Sequence, residues 1–193
     1  NYFKSLKKIF FCGETLYEEH LKKIFKINKN IKIINAYGPT EATVSCTSLD
    51  LNYKNYKSYS WYSISIGKQI NNMKILLLKN MKINKKEGEI LISGSQVSSG
   101  YLNDKEGNKK KFINYLGRKS FLTGDIGSYY KGNLYFKNRI DNQIKLGGYR
   151  IELDEINFNL KKIGYKNNYP IYYNNKIAVF IQGKKINKDL IVK

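Results

Sequence analysis

The densest group of residues capable of chemistry lies in residues 120–156, where a carboxylate follows glycine and an arginine comes a short distance later. In Thr123-Gly124-Asp125, glycine lets the backbone approach a ligand closely, and the acceptor-only side chain of Asp125 suits a pair of hydroxyl groups. We expect this tripeptide to form a turn. Arg139 offers a rigid fork of donors that suits phosphate or ribose oxygens. An ordinary turn carboxylate and a surface arginine remain the alternative interpretation.

A second group of such residues lies in residues 35–43, which read Asn-Ala-Tyr-Gly-Pro-Thr-Glu-Ala-Thr. Gly38-Pro39 predicts a tight turn, with Tyr37 on one side and Thr40 and Glu41 on the other. An aromatic ring can stack on a base, and a hydroxyl can bind a phosphate oxygen. A carboxylate can hold Mg²⁺ together with substrate phosphates. The alternative is a plain turn at the start of a helix.

A third segment, residues 88–102, reads Gly-Glu-Ile-Leu-Ile-Ser-Gly at its start and Gly-Tyr-Leu at its end. Along the chain the three segments follow in the order 35–43, 88–102 and 120–156, and in that order they resemble the adenylate-forming ligases. This superfamily includes acyl-CoA synthetases, luciferases and amino-acid adenylation domains. Three ordered blocks make the resemblance specific.

The resemblance implies ATP and Mg²⁺ as cofactors, with Thr40 and Glu41 as catalytic residues. It implies that Thr40 contacts the α-phosphate, that Glu41 holds the magnesium ion, and that Tyr37 lies beside the adenine. Asp125 would anchor the ribose. The residues that it assigns to nucleotide binding come from segments 35–43 and 120–156: Tyr37, Gly38, Thr40, Asp125 and Arg139.

The elements that would position the second segment, residues 35–43, form a strand, a helix and a second strand. Residues 8–12 predict a buried strand, and the pattern Thr15-x-x-Glu18 predicts a capping box that begins a helix. Residues 31–34 predict the next strand, so the loop at its end lies where α/β sheets bind ligands. The predicted helix has apolar residues on one face, at helical spacing: Leu16, Leu21, Ile24 and Phe25.

The rest of the chain predicts mainly short strands. Residues 50–62 are rich in tyrosine, serine and lysine and predict an exposed connection. Strand patterns follow at residues 74–78, 89–93 and 133–136. Residues 105–111 predict a solvated helix. After residue 141 we expect a strand at 143–146, a helix with apolar positions between Leu153 and Ile163, and a strand at 177–181.

The resemblance predicts an α/β plus β fold and two domains. Residues 1–140 would be the C-terminal part of a large AMP-binding domain, with an α/β layer over 1–52 and a distorted β-barrel over 53–140. Asp141 would be the hinge to a small α+β C-terminal domain, of which residues 141–193 would be the first part.

Within the superfamily, residues 143–150 read Gln-Ile-Lys-Leu-Gly-Gly-Tyr-Arg and resemble ligases that activate D-alanine for a carrier protein. Such ligases form D-alanyl adenylate, pass the acyl group to a phosphopantetheine thiol, and supply D-alanine for teichoic acids. Cys12 precedes Gly13-Glu14, where these ligases place a cysteine against the small substrate. Buried packing is the alternative for Cys12. An adenylation domain of a peptide synthetase and a non-catalytic nucleotide-binding remnant are the alternatives for the chain.

Composition excludes several other classes. The formal charge of +20, from 35 Lys and Arg against 15 Asp and Glu, comes from lysine scattered among Asn, Ile and Tyr. Because no arginine-rich stripe or basic aromatic motif accompanies it, we expect no nucleic-acid partner. No apolar run approaches the roughly 18 to 20 residues of a membrane span, and we expect a cytoplasmic protein. Two cysteines and one histidine indicate neither a metal site nor a disulfide framework.

The chain does not begin with methionine and enters directly into a strand pattern, so we expect a segment of a larger protein. The superfamily's glycine-rich phosphate loop and C-terminal adenylation lysine have no match here, and the residues around Gly183-Lys184 differ from that lysine motif. We therefore expect the 193 residues alone to be inactive, with apolar strand faces exposed around Phe10 and Ile33.

Overall fold

The computed structural model describes residues 2–147, 149–174 and 176–182. It divides into two compact units, with the boundary between Ile140 and Asp141. Over the described residues the helices are α1 Tyr2–Ser5, α2 Glu18–Ile27, α3 Lys105–Lys111 and α4 Leu153–Lys162, with short 3-10 helices at Thr40–Ala42 and Tyr56–Tyr59.

The strands of the first unit precede Ile140 and form two sheets. They are β1 Lys8–Cys12, β2 Lys32–Tyr37, β3 Thr47–Leu51, β4 Lys68–Gln69, β5 Met73–Lys79, β6 Lys82–Ile83, β7 Glu87–Gly94, β8 Phe112–Tyr115, β9 Arg118–Tyr130 and β10 Asn133–Arg139.

The first sheet has the strand order β1-β2-β3-β4, and its predicted strand-helix-strand unit is confirmed. Strands β1 and β2 are parallel, with Cys12 opposite Ala36 at their carboxyl ends. Helix α2 connects them and buries Leu21 and Phe25 in a core that includes Ile33. The exposure predicted around Phe10 is present, at 54%, but the exposure predicted for Ile33 is wrong, because Ile33 is fully buried in the core to which α2 contributes.

Helix α2 begins later than the capping-box pattern predicts. Its first residue is Glu18, and the Nδ1 atom of His20 accepts a hydrogen bond of 3.4 Å from the backbone N–H of Tyr17. The carboxylate of Glu18 accepts from Ser60 Oγ at 2.7 Å and pairs with Lys22 at 2.9 Å. Glu18 is the first residue of α2, after the N-cap Tyr17, so the predicted capping box of Thr15 with Glu18 does not form.

The first sheet also extends beyond the expected α/β layer of residues 1–52, because β3 pairs with β4 at residues 68–69. The connection at residues 50–62 is not simply exposed. Tyr56 is buried, and its ring lies 5.1 Å from that of Phe25, measured between centroids. Tyr56 and the partly buried Tyr59 pack in the core beneath α2. The polar composition of the segment did not indicate this burial.

The second sheet is antiparallel throughout, with the order β10-β9-β7-β5-β6 and with β8 paired to β9. Each of the three strand patterns predicted between residues 74 and 136 lies within one of its strands. One face packs a core of aliphatic side chains with Phe121, and Ala42 and Cys46 of the preceding loop contribute to it. The predicted α/β plus β class is therefore confirmed.

The segment 63–67 joins the two sheets. Asn35 Nδ2 of β2 donates to Ser65 O at 2.8 Å, while Ser65 Oγ donates to Leu134 O of β10 at 2.7 Å. Gly67 follows at a positive φ of +85°, where a Cβ would lie 2.1 Å from the carbonyl oxygen of Ser48. We call residues 63–67 the seam, since hydrogen bonds from both sheets meet there.

The second unit contains two antiparallel hairpins and one helix. Strand β11 Gln143–Leu146 pairs with β12 Tyr149–Glu152, and β13 Asn168–Tyr173 pairs with β14 Lys176–Ile181. The predicted strands at 143–146 and 177–181 and the predicted helix are confirmed. Strand β13 was not predicted; it contains Pro170, which an edge position in a two-stranded hairpin tolerates.

The role of Asp141 as a hinge stays a prediction, although Asp141 begins the second unit. Gly183 and Lys184 lie outside the described residues. Among the helices that the structure describes, none is both long and apolar enough to cross a membrane.

The seam supplies a stability prediction. Gly67→Ala should lower the free energy of unfolding by about 3 kcal/mol or more, because left-handed strain of about 1–2 kcal/mol adds to a clash with backbone. Gly132→Ala is the matched control, since Gly132 also has a positive φ, +77°, but a Cβ there meets no atom within 4 Å. Urea unfolding measures both. Equal losses in the two variants would contradict a special role for Gly67.

The two thiols should differ in reactivity. Burial, with a smaller contribution from Cys12, raises the pKa of Cys46 to about 12, and Cys46 is fully buried, whereas Cys12 is partly exposed. Since the thiolate is the reactive form, the folded chain of residues 1–193 at pH 8 should titrate one thiol with Ellman's reagent, and urea should release the second. Cys12→Ser should abolish the native reaction. Two fast thiols in the native protein would contradict this assignment.

Candidate functional site

Asp125 lies on a bulge within β9. The pairing of β9 with β7 shifts from Glu89↔Ile126 to Leu91↔Leu122, so residues 123–125 face the single residue 90. Such a bulge bends the strand and re-aims a side chain. The turn predicted for Thr123-Gly124-Asp125 is therefore wrong, because strand β9 continues on both sides of it. Position 124 nevertheless favours glycine, since Gly124 has a left-handed φ of +75°.

Hydrogen bonds from β7 fix the bulge. Thr123 Oγ1 donates to Ile90 O at 2.8 Å and accepts from the backbone N–H of Asp125 at 3.0 Å. The backbone N–H of Gly124 donates to Glu89 Oε1 at 2.9 Å. The backbone that aims Asp125 is thus held by groups of the neighbouring strand.

The carboxylate of Asp125 joins two other candidate residues. Arg139 Nη1 donates to Asp125 Oδ1 at 2.6 Å, and the hydroxyl of Tyr37 donates to Asp125 Oδ2 at 2.6 Å. Arg139 Nη2 also donates to the carbonyl oxygen of Thr123 at 3.3 Å. Only 9% of the Asp125 side chain and 16% of the Arg139 side chain are exposed. We call Tyr37, Asp125 and Arg139 the carboxylate cluster.

The environment of Tyr37 keeps its phenol neutral. Burial raises the pKa of Tyr37 well above its ordinary value, and the negative charge of Asp125 raises this pKa further. The hydroxyl therefore remains a hydrogen-bond donor to Asp125 across the physiological range.

The chain after Tyr37 folds back on itself. The backbone N–H of Cys46 donates to Tyr37 O at 2.8 Å, and a Cβ at position 38 would lie 2.8 Å from both Cys46 N and Val44 O, so Gly38 is required. Thr43 and Val44 have φ values of 57° and 70°. For β-branched residues this left-handed conformation is strained. The strain lies directly beside Glu41.

The one-turn 3-10 helix Thr40–Ala42 places its polar side chains differently. Thr40 is exposed, whereas Glu41 is 5% exposed. The hydroxyl of Tyr101 donates to Glu41 Oε1 at 2.6 Å, and the backbone N–H of Ser98 donates to Glu41 O at 2.8 Å. The loop is therefore anchored by the segment that follows β7.

Glu41 is a solitary acidic ligand candidate. The described residues contain no group of three or more His, Cys, Asp or Glu side chains that could hold a metal ion. Mg²⁺ commonly binds through one or two carboxylates and completes its octahedron with substrate phosphates and water. A single oriented carboxylate beside the exposed hydroxyl of Thr40 fits an ion that arrives with a nucleotide.

Cys12 lies at the end of β1, next to the end of β2 that leads into Tyr37. Its Sγ is 3.5 Å from the carbonyl oxygen of Val44, and its side chain is partly exposed. The carboxyl ends of two parallel strands thus present Cys12 and the Tyr37 loop at the same sheet edge. A role of Cys12 in a substrate pocket stays a prediction.

The structure therefore brings together the carboxylate cluster and places Gly38, Thr40 and Glu41 in the adjoining loop. Asp141 belongs to the second unit. No role was predicted for Tyr101 or Glu89, although both lie in the third sequence block, residues 88–102. Membership of this block was the sequence signal that could have identified both residues, because the block is one of the three on which the resemblance rests.

Comparison with known proteins agrees with this geometry. A family model described as AMP-binding enzyme matches residues 1–102. The chain is 37% identical over 169 residues to a D-alanine–D-alanyl carrier protein ligase of Listeria monocytogenes, covering 86% of the chain and 33% of the relative. It is 37% identical over 183 residues to the Bacillus licheniformis ligase of the same name, covering 91% and 36%. The chain thus spans about a third of these relatives' length.

Solved structures give the same result. The Vibrio cholerae adenylation domain AlmE, in complex with glycyl-adenosine-5'-phosphate, superposes with a TM-score of 0.85 at 25% identity, over 97% of the chain and 38% of the domain. Holo-PA1221, a peptide-synthetase protein with adenylation and carrier domains, superposes with a TM-score of 0.81 at 26% identity, over 93% and 33%. Because the family model covers more than half of the 193 residues, the chain belongs to the AMP-binding enzyme family.

Proposed function

We propose that the protein activates a carboxylic acid with ATP to form an acyl adenylate. A carboxylate oxygen attacks the α-phosphorus, the bond from that phosphorus to the bridging oxygen breaks, and pyrophosphate leaves. The observation on which the proposal rests is the carboxylate cluster, in which Tyr37 of β2 and Arg139 of β10 both bond Asp125 of β9. Membership of the AMP-binding enzyme family supports it.

Asp125 is proposed to bind the ribose hydroxyls. An ionised carboxylate is an acceptor with about four lone-pair sites, which suits a vicinal diol. Arg139 and Tyr37 hold that carboxylate in one orientation, through the two bonds of 2.6 Å. Because the bulge is fixed to β7, the anchor is organised before the nucleotide binds, and binding need not order it.

Thr40 and Glu41 are proposed to act at the phosphates. The exposed hydroxyl of Thr40 is available to the α-phosphate, and Glu41 would hold the Mg²⁺ of Mg·ATP. When bound, that ion neutralises charge that develops on the phosphate oxygens. Thr40 and Glu41 position the α-phosphate relative to the ribose anchor, so that the acid attacks in line with the leaving group.

The acid is proposed to be D-alanine, with transfer to a carrier-protein phosphopantetheine thiol in teichoic-acid D-alanylation. The names of the Listeria and Bacillus relatives support this assignment, as does Cys12 at the sheet edge. An adenylation domain of a peptide synthetase is the second candidate, supported by the likeness to PA1221.

The ribose role predicts a binding defect. In the full-length protein, Asp125→Asn should weaken ATP binding by about 1.5–3 kcal/mol, the range for hydrogen bonds to a charged group. Calorimetric titration with ATP measures the change, beside Asp50→Asn as a control at an exposed aspartate of β3. A melting curve checks folding, because Arg139 loses its charged partner. An unaltered ATP dissociation constant would remove Asp125 from the ribose site.

The substrate role predicts a steric defect. In the full-length protein, pyrophosphate exchange should be fastest with D-alanine, and Cys12→Leu should slow it by about tenfold or more, as expected for overpacking that costs 1–3 kcal/mol. Cys12→Ala, which adds no volume, should retain the exchange, and both variants should retain ATP affinity. Faster exchange with a large L-amino acid would favour the peptide-synthetase assignment.

A further inference from the structure

The segment between β7 and α3 makes three hydrogen bonds to the loop that contains Glu41. Tyr101 donates its hydroxyl to Glu41 Oε1 at 2.6 Å, and Ser98 donates its backbone N–H to Glu41 O at 2.8 Å. Thr43 Oγ1 donates to Gln96 O at 3.0 Å. The bond from Tyr101 is the one of the three that reaches the carboxylate itself.

Tyr101 is held in turn by Asn108 of α3. Asn108 Nδ2 donates to Tyr101 O at 2.8 Å, and Tyr101 N donates to Asn108 Oδ1 at 2.5 Å. The asparagine thus pairs with the tyrosine backbone as a neighbouring strand would. At Gly100 a Cβ would lie 2.6 Å from Asn108 Oδ1, so glycine permits this approach. Helix α3 buries no residue, but through Asn108 it holds the backbone of Tyr101.

The ring of Tyr101 is fixed as well. It packs edge-on against Phe112, with centroids 5.2 Å apart and planes at 79°. With its backbone paired and its ring packed, Tyr101 can point its hydroxyl in few other directions. The Glu41 carboxylate is therefore bonded by a well-held side chain 60 residues away along the chain.

We propose that Tyr101 is a positioning residue for Glu41. Its hydroxyl sets the plane of the carboxylate so that Glu41 receives the Mg²⁺ of Mg·ATP, and Asn108 holds Tyr101 in place. Hydrogen-bonded outer partners of metal-binding carboxylates typically change metal affinity by about 10- to 100-fold when removed. This inference rests on the proposed magnesium role of Glu41.

The test uses the full-length protein and titrates Mg²⁺ at fixed ATP, with ATP binding followed by calorimetry. Tyr101→Phe removes the hydroxyl and keeps the ring against Phe112. It should raise the Mg²⁺ concentration for half-maximal ATP binding by about tenfold. AMP affinity in EDTA and the melting temperature should not change. Tyr115→Phe is the matched control, because the Tyr115 hydroxyl bonds only a backbone carbonyl, Met81 O, among the contacts described.

Two further variants separate the outcomes. Asn108→Ala frees Tyr101 without altering Glu41 and should shift the Mg²⁺ dependence in the same direction. Glu41→Gln should shift it at least as strongly as Tyr101→Phe. If Glu41→Gln shifts it and Tyr101→Phe does not, the inference is overturned and the role of Glu41 stands. If neither shifts it, both fail. If Tyr101→Phe weakens AMP binding in EDTA equally, Tyr101 is only structural and the inference is overturned.

Discussion

The interaction on which the molecule depends most is the convergence of Arg139 and Tyr37 on the carboxylate of Asp125. A charge removed from water is costly unless a partner and hydrogen bonds compensate it. Here the tyrosine comes from the first sheet, and the other two residues come from neighbouring strands of the second. The candidate ribose anchor is thus also a contact between the two sheets. The carboxylate oxygens of Asp125 that are candidates for ribose binding also link the sheets of the first unit.

This shared role explains which features the sequence could predict. The apolar spacing of Leu21 and Phe25 identifies the core face of α2, because that periodicity is local. The ordered blocks identify the residues that gather around Asp125. The shape of the Thr123-Gly124-Asp125 segment could not be predicted in the same way. Its local composition favours a turn, and only the shifted pairing with β7, through Glu89, makes it a bulge.

Other differences have the same physical origin, since they depend on groups distant in sequence. Glu18, the first residue of α2, accepts a hydrogen bond from Ser60, and the buried Tyr56 packs beside Phe25. Tyr101 bonds Glu41 across 60 residues. No spacing rule within a short window reports such pairs. The identity of the site residues, which local residue types indicate, is therefore predictable from sequence. The orientation of the carboxylates of Glu41 and Asp125 is not, because distant residues determine it.

The strained loop beside Glu41 shows why such long-range contacts are needed. Thr43 and Val44 both adopt left-handed backbone, at a cost of about 1–2 kcal/mol each, which persists only when surrounding structure imposes it. The bonds from residues 96–101 and the burial of Ala42 in the core of the second sheet supply that constraint. The orientation of the Glu41 side chain and the shape of its loop therefore depend on contacts with residues outside the first sheet. The geometry of this loop therefore follows from the packing of the two sheets against each other, and the hydrogen bonds of the seam to both sheets belong to the same packing.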